Sequence, residues 1–160
     1  MGTVFAWMRD FALFGCTSGL VGGPFIASHV PDIEGGAAVF LVLFFAVMVS
    51  IQGVLAGLAV GSALRLLRGR VPAWAGLMAA VFAACVFTSI VPWLSGQRIG
   101  VESLMRGLPY TLAVAGLIPL TAVLRSRRQR TLPWMLGAGV LVGLVAHPWS
   151  EWVKVLYPGG

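Results

Sequence analysis

From Ala37 to Leu64 the chain runs AAVFLVLFFAVMVSIQGVLAGLAVGSAL without one charged residue. A helix of that length is about 42 Å long at about 1.5 Å per residue, and the hydrocarbon core of a bilayer is only about 30 Å thick. Such a helix must tilt or project past the core, and no soluble fold has use for it. Arg65, Arg68 and Arg70 follow at once and mark one membrane face. The chain therefore reads as an integral membrane protein organised around this helix.

Composition agrees. Of 160 residues, 59% are hydrophobic and 10% charged, which excludes a soluble domain and a disordered chain alike. The net charge of +6 does not indicate a nucleic-acid partner, because the arginines flank apolar runs as the positive-inside rule requires. Cys16 and Cys85 both lie inside apolar runs, so a disulfide framework is not expected. The segment before Val30 resembles a signal peptide in its charge and apolar run, but no small-x-small cleavage site follows. It is read as a retained span.

Five spans are expected, over residues 11–30, 37–64, 72–94, 108–124 and 132–149. A short outer-surface helix is expected over 97–107, with residues 1–160 forming one all-α transmembrane domain. Pro24 is expected to kink the first span and Pro119 to interrupt the fourth. Eight Lys/Arg fall before the first span, between the second and third, and between the fourth and fifth; three fall on the other side. That asymmetry puts the N-terminus inside and the C-terminus outside, in a multi-pass protein of the cell's inner (cytoplasmic) membrane. Trp74 and Trp134 then belong to the inner interface, and Trp93, Trp149 and Trp152 to the outer one.

An internal echo, with Arg, Pro and Trp opening both the third and fifth spans, is better explained by membrane entry than by duplication. Two glycine stripes are more distinctive: Gly15, Gly19, Gly23 in the first span and Gly53, Gly57, Gly61 in the second. Small residues at four-residue steps let helix backbones approach closely. They serve either a subunit interface or packing within the chain. In the outer segment, Arg98, Glu102 and Arg106 share a helical face.

Chemistry is sparsely represented. No ionisable residue falls at the middle of a span, and His29 and His147 both lie near outer ends. There is no HExxH, CxxC, GxSxG or phosphate-binding glycine loop, so no catalytic, cofactor-binding or metal residues are assigned and no enzyme activity is expected. A haem or metal on the two histidines is the minority alternative.

The C-terminal third carries more specific motifs. Gly107-Leu108-Pro109 opens a short span, and Thr131-Leu132-Pro133 follows a basic loop. Then come Gly137, Gly139 and Gly143, an acidic Glu151 and a terminal Leu156-Tyr157-Pro158-Gly159. In these features the chain resembles the small membrane subunit of tripartite tricarboxylate transporters. The resemblance implies a non-catalytic subunit that scaffolds a larger multi-span membrane chain, which forms the path, with a periplasmic binding protein delivering a carboxylate. Arg98, Glu102, Arg106 and Glu151 are the candidate docking residues for such a partner. The alternatives are a homo-oligomeric channel or carrier and a membrane anchor of a redox complex.

Overall fold

A computed structural model describes the backbone of residues 3–30, 35–94 and 101–156, and the side chains of these except at 87–94, 102 and 103. Five helices account for nearly all of it: α1 Val4–Ala27, α2 Gly36–Leu66, α3 Ala73–Leu94, α4 Val101–Ser126 and α5 Leu132–Leu156. Within the described residues, α1, α2, α4 from Leu104 and α5 are long and apolar enough to cross a membrane; the side chains of α3 are described over Ala73–Val86, all of it apolar. Each helix packs against the one before and the one after it, and α5 closes the bundle by packing on α1.

The first helix starts earlier than its hydrophobicity suggests. Thr3 caps it, its hydroxyl accepting a bond from the Ala6 N–H at 3.3 Å, so that Arg9 and Asp10 fall inside α1. Of the proline expectations, only the interruption at Pro119 changes. Pro24 lies within α1 and Pro119 within α4, and both helices continue through them as single elements. Of the outer helix expected over 97–107, residues 97–100 lie outside the described residues, and residues 101–107 are the first turns of α4, continuous through Pro109. A proline lacks the N–H that would reach the carbonyl four residues back, here that of Met105. The Trp149 indole N–H supplies the missing bond at 2.6 Å, tying α5 to the start of α4 and holding the helix together across its proline.

The glycine stripes pack within the chain. Gly15, Gly19 and Gly23 face Val49, Ala46 and Val42, while Gly53, Gly57 and Gly61 face Phe11, Trp7 and Val4. Each pair of residue numbers sums to about the same value, the signature of one antiparallel register held along the whole α1–α2 seam. Ser50 adds an interhelical bond, donating to the Ala12 carbonyl at 3.2 Å. A second seam runs parallel: Gly139 and Gly143 of α5 lie against the Phe14 and Ser18 carbonyls of α1. With glycine seams on two faces, α1 is the central helix. Ten of its 24 residues are buried, against eight of the 31 in α2. The longest apolar helix is thus peripheral, and large side chains such as Phe40, Phe44, Val47 and Ile51 point outward from it.

Between the helices lies a filled core. Trp7, Phe11 and Phe14 of α1 meet Val60 of α2, Ala80 and Ala84 of α3, Ile118 of α4 and Met135 of α5, all 3% exposed or less. Gly76 is also buried on the α3 face that carries Ala80 and Ala84. No disulfide joins Cys16 to Cys85.

Candidate functional site

Polar chemistry gathers at the two ends of the bundle. At one end Asp10 is 1% exposed, and two guanidinium groups neutralise it. Arg125, from the last turn of α4, donates to Oδ2 at 2.7 Å, and the neighbouring Arg9 reaches Oδ1 at 2.9 Å. A buried carboxylate without such partners would be prohibitively costly. The Arg125 guanidinium also lies over the Trp7 ring, its Cζ 4.4 Å from the ring centroid, within cation–π range. Trp7 Nε1, Thr121 Oγ1 and Arg125 Nη1 are buried and have no hydrogen-bond partner among the described residues. The sequence reading missed this cluster because it began the first span at Phe11 and so left Asp10 in the flank. The available signal was the Thr3 cap with an apolar run starting directly behind it.

At the opposite end a cavity of about 380 Å³ opens among α1, α2, α4 and α5. From Asp10 to Ala27 the helix rises about 26 Å at about 1.5 Å per residue, close to the thickness of a bilayer core. His29 follows the end of α1, and His147 sits on the inward side of α5. Their rings meet edge to face with centroids 4.6 Å apart, and Phe25 stacks obliquely on His147 at 5.2 Å. His29 Nδ1 lies 2.8 Å from the Phe25 carbonyl. A carbonyl can only accept, so Nδ1 is the protonated nitrogen. Arg106 and Tyr110 of α4 and Ser150, Glu151 and Lys154 of α5 complete the polar lining. Lys154 Nζ bonds Glu151 Oε1 at 2.6 Å.

The structure thus brings together residues that the sequence treats separately. Arg106 and Glu151, read as docking residues, line one cavity with the two histidines. Glu102 lies one turn before Arg106 in α4, with its side chain outside the described residues. Arg98, Asp32, Glu34 and Tyr157 also lie outside the described residues, as do the side chains of Thr88 and Trp93. No group of three or more metal-ligating side chains occurs among the described residues. The histidine rings touch each other, which leaves no room for a macrocycle between them, so the pair does not have the geometry of a bis-histidine haem site.

The inner wall of the cavity includes Gly22 and Gly143, where the α1 and α5 backbones meet, and beyond them lies the packed core around Phe14 and Phe11. No family model matches the chain, and no curated protein or solved structure of significant similarity was found.

Proposed function

We propose that the protein is a small, non-catalytic, multi-pass subunit of the cytoplasmic membrane, oriented N-in and C-out, that supports a larger translocating chain. The observation that carries this reading is the solid interior. Both glycine seams are spent within the chain, large apolar residues fill the space between them, and the Gly22–Gly143 contact forms part of the cavity wall. Among the described residues, a single copy built this way offers no polar route across the hydrocarbon for a solute. The orientation rests on the uneven distribution of Lys and Arg, which puts the Asp10–Arg125 end at the cytoplasm and the cavity outside.

A partner would not dock on the glycine stripes, which are already occupied. The free surfaces are ridged ones, formed by Phe40, Phe44 and Ile51 on α2 and by Met78 and Phe82 on α3. A small carboxylate is the solute class implied by the C-terminal resemblance. The test is reconstitution and deletion. The purified chain in liposomes is expected to move no solute. Its deletion is expected to abolish uptake of a small carboxylate while leaving the affinity of the soluble binding protein unchanged. Saturable uptake by liposomes holding this chain alone would replace the subunit with a channel or carrier, and unchanged uptake in the deletion strain would remove the transport role.

A further inference from the structure

The end of the bundle that holds Asp10 and Arg125 is strongly basic. α2 runs antiparallel to α1, with Gly61 facing Val4, so the α2–α3 turn lies at this end, and the Asp10–Arg125 bond brings the α4–α5 turn to it as well. Arg65, Arg68 and Arg70 at the first turn and Arg127, Arg128 and Arg130 at the second are all exposed. The sequence has no acidic residue from 35 to 101 or from 103 to 150, and the Asp10 carboxylate is already held by Arg125 and Arg9. Two features separate this surface from a plain topology signal. Every cation on the two turns is arginine, while the chain's one lysine, Lys154, lines the cavity at the other end. The positive-inside rule counts lysine and arginine alike, whereas the planar arginine fork matches phosphate oxygens two at a time. Each turn also sets a tryptophan four residues after an arginine: Trp74 follows Arg70 and is 69% exposed, and Trp134 follows Arg130 and is 53% exposed. Indole rings settle at the headgroup level of a bilayer. At the α2–α3 turn, a cavity of about 130 Å³ lies between Arg68 and the apolar Leu64, Val71 and Gly76.

We propose that these two turns bind the headgroups of anionic phospholipids. The phosphate would meet Arg68 and Arg70 at one turn and Arg130 at the other, and the glycerol and first acyl carbons would rest on Trp74 and Trp134. Clusters of basic residues immediately beside transmembrane helices attract anionic headgroups. A soluble acidic protein would answer the charge but leave both indoles uncovered, so the exposed tryptophans favour an amphiphile. The proposal depends on neither the transport role nor the orientation, because this end meets the headgroups of whichever leaflet it faces.

The test is native mass spectrometry of the full-length chain in detergent with added phosphatidylglycerol or phosphatidylcholine, a measurement that membrane orientation does not enter. Phosphatidylglycerol is expected to be retained about tenfold more strongly than phosphatidylcholine. The variant Arg68→Gln/Arg70→Gln/Arg130→Gln is expected to lose that preference, while Lys154→Gln, at the other end of the bundle, keeps it. Replacing the same three arginines by lysine keeps the charge and is expected to lower the preference to about threefold. Trp74→Leu/Trp134→Leu changes no charge and is expected to weaken retention several-fold, so the proposal remains testable if the arginine variants misfold. Octyl phosphate is expected to displace the lipid where a hexaglutamate peptide at the same concentration does not. Equal retention of the two lipids, or an undiminished preference in the folded glutamine variant, would overturn the proposal. A lysine variant equal to the native chain would overturn the recognition by arginine, and unchanged retention by the leucine variant the seat on the tryptophans. Displacement by hexaglutamate as effective as by octyl phosphate would overturn the lipid assignment in favour of an acidic protein segment.

Discussion

Asp10 Oδ2 and Arg125 Nη2 lie 2.7 Å apart, although 115 residues separate them in the chain. The bond fastens the start of α1 to the end of α4, beside the Arg125–Trp7 ring contact. Arg9 shares the same carboxylate but is 60% exposed, so the specific tie is Arg125, 14% exposed. Removing one partner of a buried pair typically costs about 3 kcal/mol or more, because the other charge stays behind. Asp10→Asn and Arg125→Leu are each expected to lower the unfolding midpoint in an SDS titration. The double variant is expected to lose clearly less than the sum of the two. Additive losses would show that the two side chains do not interact.

Glycine substitutions should separate seam from surface. A Cβ at Gly57 would meet the Trp7 carbonyl oxygen at 2.5 Å and the Met8 Cα at 2.7 Å, both backbone atoms that cannot swing aside. Gly116 has nothing within 4 Å. Gly57→Ala is expected to cost about 1–3 kcal/mol or prevent folding. Gly116→Ala is expected to be neutral or to gain up to about 1 kcal/mol of helix propensity. Thermal stability in detergent measures both, and equal midpoints would dissolve the seam.

Orientation is measured by thiol labelling. In a background lacking Cys16 and Cys85, an impermeant reagent applied to intact cells is expected to modify Glu102→Cys and to spare Arg68→Cys and Arg127→Cys. The reverse pattern would invert the molecule in its membrane and place the cavity at the cytoplasm.

The α4–α5 turn offers a stabilising change. Arg128 adopts φ 54°, the left-handed region, and its N–H bonds the Arg125 carbonyl while that of Gln129 bonds Leu124, so it holds the position a helix end usually gives to glycine. A side chain there costs about 1 kcal/mol. Arg128→Gly is expected to raise the unfolding midpoint by the equivalent of about 0.5–1 kcal/mol. A lowered midpoint would mean that the Arg128 side chain contributes more than its backbone costs.

Helix number and type were legible because apolar runs as long as Ala37–Leu64 admit one physical solution. The glycine stripes were legible as contact surfaces, but spacing within one helix cannot say which other helix fills it. That needed the shared register of Gly15 with Val49 and Gly53 with Phe11. Hydropathy also singled out the wrong helix as central. It measures how apolar a segment is, whereas the middle of a bundle goes to the helix with small residues on two faces, and that is α1. The cavity was illegible for a related reason: His29 comes from the turn after α1, Arg106 from α4 and His147 from α5, and nothing in their sequence neighbourhoods registers their meeting.

The two seams on α1 differ in when they can form during synthesis. The α1–α2 seam needs only the first 66 residues, whereas the α1–α5 seam needs Gly139 and Gly143, made last. Until α5 arrives, the Phe14 and Ser18 carbonyls lie on an open face of the earliest helix. That unfinished face distinguishes an incomplete chain from one in which α5 has packed on α1. A chain stopped after Arg130 is expected to insert yet be cleared several times faster than the full-length protein in a pulse-chase experiment. Equal half-lives would mean that the open face goes unread.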